Sequence, residues 1–456
     1  MDALTSLLAK SEGKTLEFKR DLSSPEKLLR SLVAFANTAG GTVLVGVEDK
    51  TRRVVGIADV LDVEERIASL VADSIVPRLL VDIEIHPWRA GHVISITVHP
   101  GSFLPFHLKK AGPDEGVLIR IGSTNRRADP ETIAGLKRFG ASETFDEQAV
   151  PDLDSEAIDF RVASECFAPL RTLRRRDLRT LRMTTSTQGK EVPTIGGLLL
   201  FGRDRLRRFP DACVAVGRFE GTTRDRILDT RRLEAVPVRA VSEAIEFVEK
   251  HLSRELVIGR LRRSEAWTIP PVAVREAIVN AVVHADYSLR GTPIRVAVFD
   301  DRVEIASPGL LPVGLTVEDL RQGVSKVRNR VIARVFQELG LVEQWGSGVP
   351  RMLSACRDAG LAEPELDEIG TQFRVILRAA TVGARPGDDT DRRILSLLIG
   401  GEGMTTSLIA ESMKLSTRAV RTRLGRLVKR GLIAEVGSGP HDPRRRYVAI
   451  ASRFAE

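Results

Sequence analysis

The chain has 456 residues, of which 43% are hydrophobic, and a formal net charge of +8. That length suits roughly three domains of ordinary size, and the positive balance permits a polyanionic partner. Its three cysteines, Cys166, Cys213 and Cys356, are far apart and match no zinc-ligand spacing. This argues against a zinc site and a disulfide framework and fits a reducing compartment. The opening MDALTSLLAK is not a signal-peptide pattern, and no apolar run of ~18 residues is present to span a membrane. A cytoplasmic location is therefore expected.

In chain order, residues 1–18 predict a short helix and then an extended TLEFK segment. Residues 25–37 repeat apolar side chains at helical spacing (Leu28, Leu29, Leu32, Val33, Phe35, Ala36), which predicts a helix packed on a sheet. Gly40 and Gly41 turn the chain into an apolar strand over 42–47. Further strands are expected over 79–86 and 92–99, and residues 116–130 read as a strand, a Gly/Ser turn and a polar exit. The acidic stretch 143–159 reads as a linker, and GGLLLFG over 196–202 reads as an apolar strand. Alternating helices and strands predict a second α/β unit. Residues 381–390 form a loop by composition. The expected fold class is mixed α/β (α+β) and multidomain, with boundaries at 1–135, 160–380 and 388–452.

The last of these segments reads as three helices and a β-hairpin. Expected helices cover 391–399, 407–413 and 417–430, with Thr405 or Thr406 capping the second, Ser416 capping the third and Gly431 ending it. The third helix carries Leu424, Leu427 and Val428 on one face and Arg418, Arg421, Arg423 and Arg426 on the other. Two strands follow, joined by a basic turn with Arg444, Arg445 and Arg446. Residues 381–456 hold 14 Lys/Arg and 8 Asp/Glu, so most of the net positive charge sits here. This is the pattern of a winged helix-turn-helix, whose third helix enters the major groove while the wing lies over the backbone. DNA is the expected partner; the bland reading is a protein-contact module.

Near the N-terminus, Glu17 and Lys19 alternate with Phe18 on a strand and should share one face. Asp49 follows the 42–47 strand at its exit, and Glu12 precedes the TLEFK segment. Three converging carboxylates of this kind can hold Mg²⁺ or Mn²⁺, with Lys19 placed to stabilise a phosphate. Arg120, Arg126 and Arg127 can contact phosphates, although such a cluster is more often a solvated turn. The segments EGKTLEFK, LVAFANTAGGTVLVGVEDK and GVLIRIGSTNRRADP resemble, in order and spacing, the Schlafen AlbA-type domain, a nucleic-acid-binding module. The resemblance implies an RNA-cleaving role for Glu12, Glu17 and Asp49, with tRNA among the substrates. It also implies a homodimer, because vertebrate Schlafens use two copies of this unit and the chain has one. The alternative is scaffold residues and binding without chemistry.

In the second unit, Glu276, Asn280 and His284 recur every four residues on an expected helix over 274–288 and so share one face. With RVEIASPGLLPVG and RNRVIARVFQELGLVEQWGSGVPRM, this region resembles the GHKL-like RecG C-terminal domain, an α/β sandwich. The resemblance implies that Glu276 activates water, Asn280 holds Mg²⁺, and Gly346 and Gly348 cover a nucleotide. One departure argues against ATP hydrolysis. The family reads adenine with an acid in a D-x-G motif, and this chain has Ala306-Ser307-Pro308-Gly309 there. A degenerate scaffold is the competing reading. No G-x-x-x-x-G-K-[ST] motif occurs, which excludes a P-loop helicase. Three functions follow: a DNA-binding transcriptional regulator, a metal-dependent ribonuclease targeted by its winged helix, or a GHKL-type ATP-binding protein.

Overall fold

The computed structural model describes residues 3–49, 51–89, 91–101, 103–252, 254–258, 263–342, 347–379, 388–398, 403–429, 433–436 and 445–449. The chain divides into two compact units, Met1–Arg378 and Ala379–Glu456. Among the described residues, no helix is long and apolar enough to cross a membrane.

The first unit begins with a four-stranded sheet. Leu16–Lys19 pairs in parallel with Gly41–Val45, which pairs antiparallel with Gly91–Val98, which pairs antiparallel with Asp82–Trp88. The helix Pro25–Ala36 lies on this sheet and buries Leu28, Leu29, Leu32, Val33 and Phe35. The helix ends at Asn37, and Gly40 and Gly41 take positive φ. A Cβ on Gly41 would lie 2.7 Å from the Thr15 carbonyl, so the crossing into the next strand requires glycine. The segment read as a polar exit is instead the second strand of a hairpin: Thr124–Arg127 pairs with Leu118–Ile121. Its polarity reflects an exposed face, not a loop.

The same unit contains a six-stranded sheet. From one edge, its strands are Ile227–Leu233, Val214–Phe219, Ile294–Val298, Arg302–Pro308, Gln372–Arg378 and Glu365–Ile369. The helices Pro237–His251 and Pro271–His284 pack beside it. Residues 195–201 form a helix, not the expected strand. Thr194 caps it by accepting from the Gly197 N–H, and every residue from Gly196 to Phe201 is buried. Burial on all sides erases the periodicity that would have marked a helix. Gly197 is required there, because a Cβ would run into the Met183 carbonyl.

The acidic stretch after residue 143 is docked as part of the fold. Asp146 is fully buried and accepts from the backbone N–H groups of Arg330, Val331 and Ile332 at 3.0, 2.7 and 3.0 Å. These donors lie at the start of the helix Arg330–Glu338, where N–H groups lack partners within the helix. Other contacts also join the two sheets' surroundings. The Gly314 N–H donates to the Thr38 carbonyl at 2.7 Å, Lys14 pairs with Glu368 at 2.6 Å, and Leu310 and Val313 pack on the first core.

The second unit contains the helices Asp388–Leu398, Thr406–Met413 and Thr417–Lys429 and a sheet ordered Met404–Thr405, Arg446–Ala449, Ile433–Val436. Ile394, Leu398, Ile409, Val420, Leu424, Leu427 and Tyr447 fill its core.

Candidate nucleic-acid interface and ligand cavity

The helix Thr417–Lys429 starts where the Ser416 hydroxyl accepts from the Ala419 N–H at 3.2 Å. Thr405, not Thr406, caps the preceding helix. Lys414, in left-handed conformation at φ 53°, makes the turn between the two helices. Val420, Leu424 and Leu427 point into the core, which turns Arg418 and Arg421 outward, one helical turn apart. Arg423 departs from the expected arrangement: it is half-buried at the border of the core, because its position flanks the apolar stripe. The helix includes Arg426, whose side chain lies outside the described residues, as do Arg444 and Gly431. Arg446 is exposed, and Arg445 pairs with Glu435 at 3.0 Å.

The N-terminal carboxylates are divided. Glu12 accepts from the Phe18 N–H at 2.6 Å, and burial, followed by the neighbouring Asp49 carboxyl and the Glu17 charge, pushes its carboxyl up. Asp49 is exposed. Glu17 does not share an open face with Lys19. It is buried and binds the Arg120 guanidinium at 2.6 Å, with Lys19 on its other oxygen. Among the described residues, no group of three His, Cys, Asp or Glu side chains has the arrangement to hold a metal ion. The residues therefore fit a three-carboxylate centre poorly, and Glu12 with Asp49 is the pair that remains open to a cation.

Arg120 cannot serve as a phosphate contact. It is 1% exposed, lies over the Phe35 ring, and donates to Glu17, the Gly13 carbonyl and Asn125. Its sequence position in an apolar strand was the available signal for burial. Arg126 and Arg127 are exposed on the paired strand, Arg127 beside Glu115. Asn37 carries no motif in the sequence that marks its role. It is buried and joins three segments, donating to the Phe106 and Leu118 carbonyls and accepting from the Phe106 N–H.

Beside the six-stranded sheet of the first unit, Glu276, Asn280 and His284 line one cavity of about 260 Å³, together with Gly348. Glu276 is held by Arg275 and Arg351 at 3.2 and 3.1 Å. A Cβ on Gly348 would lie 2.8 Å from the Glu276 Oε2 and 3.3 Å from the Asn280 amide nitrogen, so glycine permits this close approach. Burial, and then the Arg328 charge, push the His284 imidazole down to about 4, which keeps it neutral at neutral pH. Gly346 lies outside the described residues. Glu276 and Asn280 could hold a nucleotide's metal here; both arginines engage the Oε1 of Glu276, and its Oε2 faces Gly348.

Three family models match the chain. Residues 12–129 match "Schlafen, AlbA_2", residues 291–377 match "Putative ATP-dependent DNA helicase recG C-terminal", and residues 387–434 match "Winged helix-turn-helix DNA-binding". The second match begins after the helix that carries Glu276 and Asn280. No curated protein matches. Among solved structures, a protein from Corynebacterium diphtheriae is 22% identical, with 98% of this chain and 96% of that one covered and a TM-score of 0.43. The N-terminal domain of a protein from Nitrosomonas europaea, titled "Putative ATP-dependent DNA Helicase RecG-related", is 26% identical. That alignment covers 28% of this chain and 94% of that one, with a TM-score of 0.24. The chain thus carries, in order, a Schlafen AlbA_2 domain, a RecG C-terminal-type domain and a winged helix-turn-helix, and it is a nucleic-acid-binding protein.

Proposed function

We propose that this protein is a DNA-binding transcriptional regulator whose helix Thr417–Lys429 reads duplex DNA. The observation that carries this reading is the outward pair Arg418 and Arg421 on a helix anchored by Val420, Leu424 and Leu427. Arginines so placed reach phosphates or the O6/N7 edge of guanine. The exposed Arg446 on the adjacent strand adds backbone contact. A homodimer would present two such helices to a two-fold site, and the cavity around Asn280 is the place where a nucleotide would act on the assembly. Fluorescence anisotropy with duplex DNA across a salt series tests the reading. Arg418→Ala with Arg421→Ala should weaken binding at least tenfold and flatten the salt slope by about two. Unchanged affinity and slope would refute it.

The contact between Glu12 and Asp49 favours a second reading, a Mg²⁺- or Mn²⁺-dependent ribonuclease acting on tRNA. A bound cation would neutralise these two carboxylates. Cleavage of tRNA that needs Mn²⁺, stops with EDTA and is lost in Glu12→Gln would establish it; intact RNA under all conditions would remove it.

A further inference from the structure

A second cavity, of about 370 Å³, lies in the first unit between the hairpin and helix that follow residue 117 and the loops at 309–313 and 326–328. Its volume is within the ~300–1,000 Å³ typical of small-molecule sites, far too small for a duplex. Its walls combine cations with aromatic rings. Phe139 is 40% exposed, and the Lys326 ammonium stands 5.9 Å from its ring centre. Arg138 lies over Phe145 at 5.2 Å. Arg126 is exposed and has no ion pair among the described residues. Arg328 binds Asp286 and the Leu310 carbonyl through its terminal nitrogens, while its buried Nε has no acceptor among the described residues.

The carboxylates on the cleft offset this charge only in part. Asp129 caps the helix Pro130–Gly140 by accepting from the Thr132 N–H, and Asp286 is bound to Arg328. Glu131 and Glu143 are exposed at the rim. Beside the partly exposed Phe139 ring, the Lys326 ammonium donates to the neutral Val313 carbonyl at 2.8 Å and meets no carboxylate among the described residues, so a base can stack on the ring while its phosphate finds positive charge.

We propose that this cleft receives one nucleotide unit, its base against Phe139 and its phosphate among Arg126, Lys326 and Arg328. The unit is either a free nucleotide or one residue of a single strand, and this site is independent of the winged helix. The test uses the full chain carrying Arg418→Ala and Arg421→Ala, so that the winged helix contributes little. A labelled short oligothymidylate is titrated by anisotropy, with thymidine monophosphate as competitor.

The proposal expects salt-sensitive binding that falls about tenfold in Phe139→Ala, since stacking on one ring contributes on that scale. Phe139→Trp should retain it. Arg126→Ala with Lys326→Ala should reduce the salt slope by about one. Equal competition by the monophosphate identifies a free nucleotide as the ligand, and poor competition identifies a strand. No binding of either probe at low salt, or wild-type affinity in both Phe139→Ala and the double cation variant, would overturn the proposal. Retained duplex binding by the otherwise wild-type chain carrying Phe139→Ala separates this outcome from failure of the winged-helix reading.

Discussion

Replacing Glu17 with Ala would leave the Arg120 guanidinium in the interior without its carboxylate. The two side chains are 1% and 8% exposed and meet at 2.6 Å. At an effective dielectric of about 20, a charge pair near 4 Å interacts by about 4 kcal/mol. Removing one member of a buried pair costs about 3–5 kcal/mol, because the remaining charge is stranded. The other acceptors of Arg120, the Gly13 and Leu16 carbonyls and the Asn125 side chain, are neutral and cannot replace the carboxylate. Lys19, also on Glu17, is partly exposed and can turn to water. We therefore expect Glu17→Ala to destabilise the first sheet by about 3 kcal/mol or more. The double change Glu17→Leu with Arg120→Met should recover most of that loss. Hydrogen exchange of the strands Leu16–Lys19 and Gly41–Val45 is the suitable assay, because a multidomain chain lacks a single unfolding free energy. Protection in Glu17→Ala within about 1 kcal/mol of wild type would refute the reasoning. The same argument makes Glu12→Gln a better nuclease test than Glu17→Ala, since lost activity in the latter would also follow from lost folding.

Two further predictions concern pH, with opposite signs. Burial holds the Asp146 carboxyl up at about 6 despite its donors, so the stability it contributes is full below pH 3.8 and is lost as pH rises through 6. Asp146→Asn should remove that decline, of about 3 kcal/mol; an unchanged pH profile would contradict the assignment. Asp146→Ala, which strands three backbone donors, should cost about 3 kcal/mol in the hydrogen-exchange protection of the helix Arg330–Glu338. His284 behaves in the other direction. Folding favours its neutral form, so its contribution is full above pH 6.5 and is lost as pH falls through about 4. His284→Gln should weaken the acid-side loss of stability, and a profile identical to wild type would exclude His284 as its source. Any ATP affinity, read by calorimetry, should fall in Asn280→Ala; wild-type binding there would place the nucleotide outside this cavity.

What was legible in the sequence was local. The helix Pro25–Ala36 has an apolar stripe, a Pro at its start and a Gly-Gly turn after it, and each of these acts within a few residues. The winged helix was readable for the same reason. Ser416 caps its own helix, and Leu424 and Leu427 define the buried face from which the outward direction of Arg418 and Arg421 follows. The spacing of Glu276, Asn280 and His284 likewise placed them together, because one helix carries all three.

Tertiary structure decided the rest. A uniformly apolar segment such as Ile195–Phe201 has no periodic signal once every side is buried. Asp146 looked like part of an acidic linker, and only the distant helix start at residue 330 turns it into a buried cap. Glu17 and Arg120 are 103 residues apart and read in the sequence as a metal ligand and a phosphate contact, yet the fold buries them against each other as an ion pair. The sequence by itself determined the elements that carry a periodic apolar face or a local cap, such as Pro25–Ala36 and Thr417–Lys429, since these depend on near neighbours. The fate of each charge was settled by the fold, because a charge's environment is set by groups that meet only when distant segments pack.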